Sequence, residues 1–238
     1  MHDAHAVTEN TIGEIVADDY RTAAVFEKHG IDFCCGGQIA LAVICQAKGV
    51  DPAAITREIE AVKRTPLDHN QNFTAWPLAF LADYIIHTHH AYLKDHTGQI
   101  AAYVQKIAEV HGAHHPEVVE IAAIFAKIAT DLAAHLREEE AVCFPAIKRG
   151  EAARTAGAGV DASDRDTIQR SLATLRHEHE AIGEATHTIR RLAQGFAIPA
   201  DVCNTFRVTY QELNAFEADL HKHVHLENNI LFTKAAQL

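Results

Sequence analysis

Four histidines recur at nearly equal intervals along the chain, each within a long helix-forming segment. His90, His135, His179 and His223 are separated by 45, 44 and 44 residues. Antiparallel helices of similar length bring residues at such intervals to one level of a bundle, so we expect these side chains to lie side by side. No other feature of the sequence constrains the fold as strongly.

The segments around these histidines have the period of amphipathic helices. Inward positions advance by three or four residues over about 77–109, from Pro116 onward, and over about 166–194 and 200–235. The expected inward residues are Ile86, His90, Leu93, Thr97, Ile100, Val104 and Ile107; Ile121, Phe125, Ile128, Leu132, His135, Glu139 and Val142; Ile168, Leu172, Leu175, His179, Ile182, Thr186 and Ile189; and Val202, Phe206, Leu213, Phe216, Leu220, His223, Glu227 and Ile230. The sequence therefore predicts an all-α four-helix bundle, with residues 150–165 as an exposed connection.

Two of the four helices add a glutamate four residues after the histidine. These pairs are His135 with Glu139 and His223 with Glu227. Residues four apart share one face of a helix, one turn apart. Two glutamates from opposite halves of the bundle can each bridge two metal ions, while the histidines bind at both ends.

A metal site must be weighed against a simpler interpretation. A single helical histidine is more often a surface or hydrogen-bonded core residue than a ligand, and the run Glu138–Glu140 by itself indicates a solvated acidic face. Six polar side chains at one level of an apolar core are nevertheless very costly unless cations neutralise them. We therefore predict six metal ligands: His90, His135, Glu139, His179, His223 and Glu227.

The ligand types select the metal. Structural zinc prefers a closed four-coordinate site, and oxygen-only ligands favour magnesium, calcium or manganese. Mixed imidazole and carboxylate ligands in a bundle core suit iron. We expect two non-haem iron ions per chain. The site has more histidine than di-iron oxygenases have, which favours reversible ligand binding or redox cycling.

Composition excludes several classes of function. The formal net charge of −11 opposes binding to nucleic acid. No run of 18 apolar residues is present, so we expect no membrane span. The N-terminus lacks the pattern of a signal peptide and the five cysteines are irregularly spaced, so we expect a reducing cytoplasm and no disulfide framework.

The first 64 residues indicate a small helical domain. Thr11 and Glu14 have the spacing of a capping box, and helices are predicted over 21–29, 38–48 and 52–63. Residues 65–75 are polar and are predicted to be a linker. The bundle would then occupy 76–238.

Adjacent cysteines lie between the first two predicted helices. Cys34 and Cys35 could be small buried hydrophobic residues, but Gly36 and Gly37 follow directly and favour an exposed loop. Thiolates in such a loop could hold iron, a cluster fragment or nitric oxide. The other three cysteines are predicted to be packing residues within helices: Cys45, Cys143 and Cys203.

Two further carboxylates lie close to predicted ligands in the sequence. Asp131 precedes His135 by four residues, and Glu178 is adjacent to His179. Either could orient a ligand or relay a proton. Surface carboxylates are an equally reasonable interpretation.

Three segments resemble a known family. Residues 223–232, HVHLENNILF, and 135–145, HLREEEAVCFP, resemble the haemerythrin-like domain. Residues 31–37, IDFCCGG, resemble the short N-terminal domain of one branch, the RIC (repair of iron centres) proteins. The family's iron ligands fall on the six residues already chosen from spacing.

The resemblance implies a bacterial cytoplasmic protein that restores iron–sulfur clusters damaged by nitric oxide or oxidants. Its partners would be damaged or apo iron–sulfur proteins, with nitric oxide or dioxygen as small ligands, and it suggests a homodimer. Iron donation and nitric oxide reduction are the activities implied. The alternatives are a dioxygen or nitric oxide carrier or sensor, and an iron store; neither requires the Cys34–Cys35 domain.

Overall fold

The computed structural model describes residues 9–66 and 72–238, which divide into two compact units. One unit runs to Leu81 and includes Val224–Leu238, and the other is Ala82–His223. Within the described ranges, regular structure is helical apart from one isolated bridge between Thr11 and Ala40. None of the helices described is long and apolar enough to cross a bilayer.

The N-terminal helices begin and end at the signals present in the sequence. The capping box forms: the Thr11 amide donates to the Glu14 carboxylate over 2.8 Å, and the Glu14 amide donates to the Thr11 hydroxyl over 3.2 Å. Gly49 ends the third helix with a φ of 66°, which favours glycine. The elements are α1 (Ile12–Asp18), a 3₁₀ turn (Tyr20–Thr22), α2 (Ala23–Lys28), α3 (Leu41–Lys48) and α4 (Pro52–Lys63).

The structure describes part of the predicted linker. Residues 67–71 lie outside the described ranges, but Phe73–Ala75 form a 3₁₀ turn in which Phe73 is buried. Lys234 donates a hydrogen bond to the Thr74 carbonyl. The last 15 residues of the predicted bundle, Val224–Leu238, thus pack in the same unit as the N-terminal helices.

The second unit is a bundle of long helices that carries most of the predicted inward residues. Its helices are α5 (Leu78–Ile85, which begins in the first unit), α6 (Ala91–His111), α7 (Glu117–Glu138), α8 (Phe144–Thr155), α9 (Ala162–Leu192) and α10 (Asn204–His225). A short α11 (Phe232–Ala235) ends the chain. All seven inward residues predicted for the third long helix are buried along α9. The all-α, four-helix prediction is confirmed.

Three π-helical turns interrupt the long helices, at Ile86–His90, Glu139–Cys143 and Leu226–Leu231. A π turn contains an extra residue, so it shifts the buried face by one position. Val142, predicted to point inward, is 37% exposed, and Cys143 is buried in its place. Likewise Ile85 is buried, whereas Ile86 is only half-buried.

The connection between the second and third long helices is shorter than predicted. Helix α8 continues to Thr155 and α9 begins at Ala162, so only residues 156–161 are non-helical. The glycine and aspartate content indicated a loop over 150–165. The high helix propensity of the alanine and arginine residues in this segment outweighs that effect.

Candidate metal centre

Five of the six predicted ligands lie in the second unit, and all five are buried. His90 ends one π turn, Glu139 begins another, and three histidines lie within regular helix on α7, α9 and α10. None of the five is more than 3% exposed. Spacing alone had placed them at one level, and the structure brings these five together.

The side chains form two groups that share Glu139. The first contains His90, Glu139 and His223, and the second contains His135, Glu139 and His179; ligand atoms within each group lie within 4.8 Å of one another. The carboxylate divides between them. Its Oε2 lies 3.4 Å from His90 Nε2, and its Oε1 lies 3.2 Å from His135 Nε2.

The imidazoles converge in pairs through their Nε2 atoms. The distance is 3.2 Å between His90 and His223, and 2.9 Å between His135 and His179. Two imidazoles bound to one metal at about 2.1 Å and at right angles would place their nitrogens about 3 Å apart. The observed pairs therefore suit one metal ion each.

Glu139 supplies the test of whether a metal fits. Its side chain is fully buried, and neither carboxylate oxygen has a hydrogen-bond partner. A buried carboxylate without donors carries a large desolvation cost. Cations between Glu139 and the histidines would offset that cost, so the residues present fit a dinuclear metal site.

Glu227 follows His223 by one turn on the same continuous helix. Helix α10 passes into the π turn that begins at Leu226, and Glu227 is fully buried. Its position in the sequence mirrors that of Glu139 after His135.

Carboxylates contact the Nδ1 atoms of two of the histidines and so orient their rings. Glu178 Oε2 lies 2.7 Å from His135 Nδ1, as one of the two sequence interpretations expected. Glu140 Oε1 lies 2.8 Å from His90 Nδ1. A proton on Nδ1 donated to a carboxylate leaves the Nε2 lone pair available to a metal.

The role of Glu140 was not predicted from the sequence. Burial would raise the pKa of its carboxyl, but hydrogen bonds from Lys94 and His90 lower the pKa below its ordinary value. The helix periodicity carries no signal for this contact, because Glu140 belongs to the π turn after α7 whereas His90 precedes α6.

Asp131 lies elsewhere. Its side chain is exposed on α7 and accepts a hydrogen bond from Lys127 over 2.5 Å. Although Asp131 lies four residues before His135 on α7, its side chain faces solvent. The structure therefore does not bring Asp131 to the buried histidines.

The two adjacent cysteines occupy a more enclosed loop than predicted. Cys34 is buried and Cys35 is half-buried, and their sulfur atoms are 3.8 Å apart. Asp32 accepts from both backbone amides, over 2.9 and 3.0 Å. The hydrogen bond with Cys35, followed by burial, raises the pKa of the Cys34 thiol well above its ordinary value. The contact with Cys35 and burial therefore favour the thiol over the thiolate at Cys34.

The C-terminal π turn holds this loop in place within the first unit. Asn229 Nδ2 donates to the Phe33 carbonyl over 3.0 Å, and Asn228 Nδ2 lies 3.4 Å from the Cys34 carbonyl. A Cβ at Gly37 would lie 2.4 Å from Asn229 Oδ1, so the glycine is what lets the Asn229 side chain approach the loop this closely. Gly37 is buried, and close approach to Asn229 rather than exposure explains the glycine.

Cys203 differs from the prediction of a packing residue within a helix. It is exposed and immediately precedes α10. A hydrogen bond with His111, whose Nε2 lies 3.2 Å from the sulfur, is the main cause that lowers the pKa of Cys203 to about 7. Cys45 and Cys143 are buried as predicted.

Two family models match this chain. Residues 81–235 match the family described as "Hemerythrin HHE cation binding domain". Residues 8–63 match the family described as "Domain of Unknown function (DUF542)".

Curated relatives match along nearly the whole chain. The iron-sulfur cluster repair protein ScdA of Staphylococcus haemolyticus is 31% identical over 229 residues, covering 95% of this chain and 97% of the relative. ScdA of Staphylococcus epidermidis is 28% identical, with coverage of 96% and 98%. The iron-sulfur cluster repair protein YtfE of Yersinia pestis is 28% identical over 225 residues, with coverage of 94% and 96%. The chain therefore belongs to the RIC family of haemerythrin-like proteins.

Proposed function

We propose that this chain binds two non-haem iron ions and uses them to repair damaged iron–sulfur clusters. The observation that carries the proposal is the buried Glu139 carboxylate, which lies between two histidine pairs and lacks hydrogen-bond donors. Glu139 would bridge the two irons. Glu227 would bridge them from the opposite half of the bundle, since it follows His223 as Glu139 follows His135.

The remaining ligands would be one histidine pair for each iron. His90 and His223 would hold one iron, and His135 and His179 would hold the other; ligand atoms within each group lie within 4.8 Å of one another. When bound, ferrous iron with open coordination positions accepts a small ligand such as nitric oxide or dioxygen. Six protein ligands for two metals leave such positions open, and imidazole and carboxylate ligands release ferrous iron more readily than a set of thiolates does.

Iron is also the cargo in this proposal. The relatives named for iron–sulfur cluster repair support that role. The recipients would be damaged or apo iron–sulfur proteins. Nitric oxide reduction at the same centre, a homodimer and a cytoplasmic location are further expectations from the family resemblance.

The cysteine loop offers a first acceptor for released iron. Asp32, Cys34 and Cys35 place potential ligand atoms within 4.8 Å of one another. Asn228, whose side chain contacts the Cys34 carbonyl, is the residue directly after Glu227. We propose that iron released from the centre passes to this loop.

A dioxygen or nitric oxide carrier or sensor is the second candidate. The four-histidine, glutamate-bridged centre would serve reversible binding equally well. The cysteine loop favours repair, because a carrier has no use for an iron acceptor outside the bundle.

Reconstitution of an apo iron–sulfur enzyme tests donation. Iron-loaded protein is mixed with the apo enzyme, a sulfide source and a reductant, and recovery of enzyme activity is compared with that given by the same amount of free ferrous iron. We expect faster recovery with the protein, and the advantage should persist when a chelator scavenges free iron. Equal recovery with free iron, or loss of all recovery with the chelator, would reject specific donation.

Iron affinity should depend on Glu178. Glu178→Gln removes the charge that orients His135, and loss of such an outer partner typically weakens metal binding about 10- to 100-fold. Asp131→Asn is the matched control, because it changes an exposed carboxylate on the helix that carries His135. Iron retained against a chelator, measured by metal analysis, should fall only in the first variant; equal retention would reject the orienting role.

A further inference from the structure

A second group of metal-ligand side chains lies in the bundle, apart from the six proposed iron ligands. His187 on α9 faces Glu217 and His221 on α10, and ligand atoms from the three lie within 4.8 Å of one another. Glu217 Oε1 lies 3.9 Å from His221 Nε2, and the two imidazole centroids are 5.6 Å apart. Glu217 and His221 are four residues apart, so both lie on one face of α10.

Arg190 holds one carboxylate oxygen of Glu217 and leaves the other oxygen available to a metal ion. Its side chain is only 2% exposed, and Oε2 accepts from Arg190 Nε over 2.8 Å and lies 2.7 Å from Arg190 Nη2. The other oxygen, Oε1, is buried and has no hydrogen-bond partner. Arg190 therefore fixes the carboxylate in one orientation and offsets part of its charge, while Oε1 is left directed at the histidines.

We propose that His187, Glu217 and His221 bind one divalent transition-metal ion. Two imidazoles and one carboxylate suit zinc, ferrous iron and cobalt, and oxygen-preferring cations such as magnesium are a poor match. His187 is half-buried and the His221 side chain is 13% exposed, so the outer side of the site is open to water ligands. A metal there links α9 to α10 without using any residue of the dinuclear centre.

Zinc uptake by the iron-loaded protein tests this site. Zinc and iron bound per chain are measured after equilibration with excess zinc and removal of the free metal. The wild type should keep its iron and bind one additional zinc. Zinc affinity should fall at least about tenfold in His187→Ala and His221→Ala, since removing a ligand costs no less than removing an outer partner. His114→Ala, which removes an exposed histidine in the turn after α6, is the control and should bind zinc as the wild type does.

Several outcomes separate this site from the iron centre. His187→Ala removes a half-buried side chain and should fold normally, which the circular dichroism spectrum checks. Zinc gained at the expense of iron would show exchange at the dinuclear centre and would overturn the proposal. Zinc uptake unchanged in both histidine variants, or no uptake beyond iron, would overturn it as well. Loss of iron with retention of zinc in the His187 variant would also contradict it.

Discussion

Replacing Glu139 by glutamine is expected to empty the iron centre and to stabilise the metal-free protein. The carboxylate lies 3.4 Å from His90 Nε2 and 3.2 Å from His135 Nε2, so it reaches both histidine groups of the second unit. Its loss should lower iron affinity by more than the about 10- to 100-fold expected for loss of an outer partner. Without metal, the buried charge and its unmet hydrogen bonds are a cost of about 1–3 kcal/mol that the neutral amide reduces.

Glu138→Gln is the matched control for that experiment. Glu138 is the preceding residue and is exposed, so its replacement changes the net charge equally without touching the core. Iron content is measured by metal analysis, and the free energy of unfolding of each apo protein by urea titration. Full iron occupancy in the Glu139 variant, or an apo form less stable than the wild type, would contradict the bridging role.

Replacing both loop cysteines is expected to abolish the advantage of the protein over free iron in reconstitution, with iron content unchanged. Cys34→Ser/Cys35→Ser keeps the approximate size of the side chains and removes both thiols. The Asp32 cap and the asparagine contacts involve backbone groups of this loop, so its conformation should persist. The six proposed iron ligands are untouched, which is why iron content should not change.

Cys203→Ser is the control for that variant. Cys203 is exposed and its pKa of about 7 makes it more thiolate-rich than a typical cysteine, so a general thiol effect should appear there. We expect the Cys203 variant to donate iron normally. Normal donation by the double variant would reject the acceptor role of the loop, and equal loss in the Cys203 variant would show that the effect is not specific.

The bundle and the histidine cluster could be predicted from the sequence because both depend on periodicity. Equal intervals between histidines and a period of three to four residues determine which side chains share a level and a face. The sequence therefore predicts that His135, His179 and Glu139 lie together, and the structure places their ligand atoms within 4.8 Å of one another.

Features that depend on local irregularity were not predictable in this way. A π turn after α7 moves the buried position from Val142 to Cys143, and no residue type marks such a turn in advance. Similarly, the contact between Glu140 and His90 joins residues 50 positions apart, which periodicity within one helix cannot reveal.

The cysteine loop shows the same limit. Gly36 and Gly37 suggested exposure, yet Gly37 is buried because Asn229, distant in the sequence, occupies the space that a side chain would need. The packing of Val224–Leu238 in one unit with the N-terminal helices is a tertiary contact of this kind.

X-ray absorption at the iron edge, combined with metal analysis of the purified protein, tests the dinuclear centre most directly. We expect two irons per chain, a first coordination sphere of nitrogen and oxygen, and iron–iron scattering at about 3.5–4 Å. One iron per chain, sulfur in the first sphere or the absence of iron–iron scattering would contradict it.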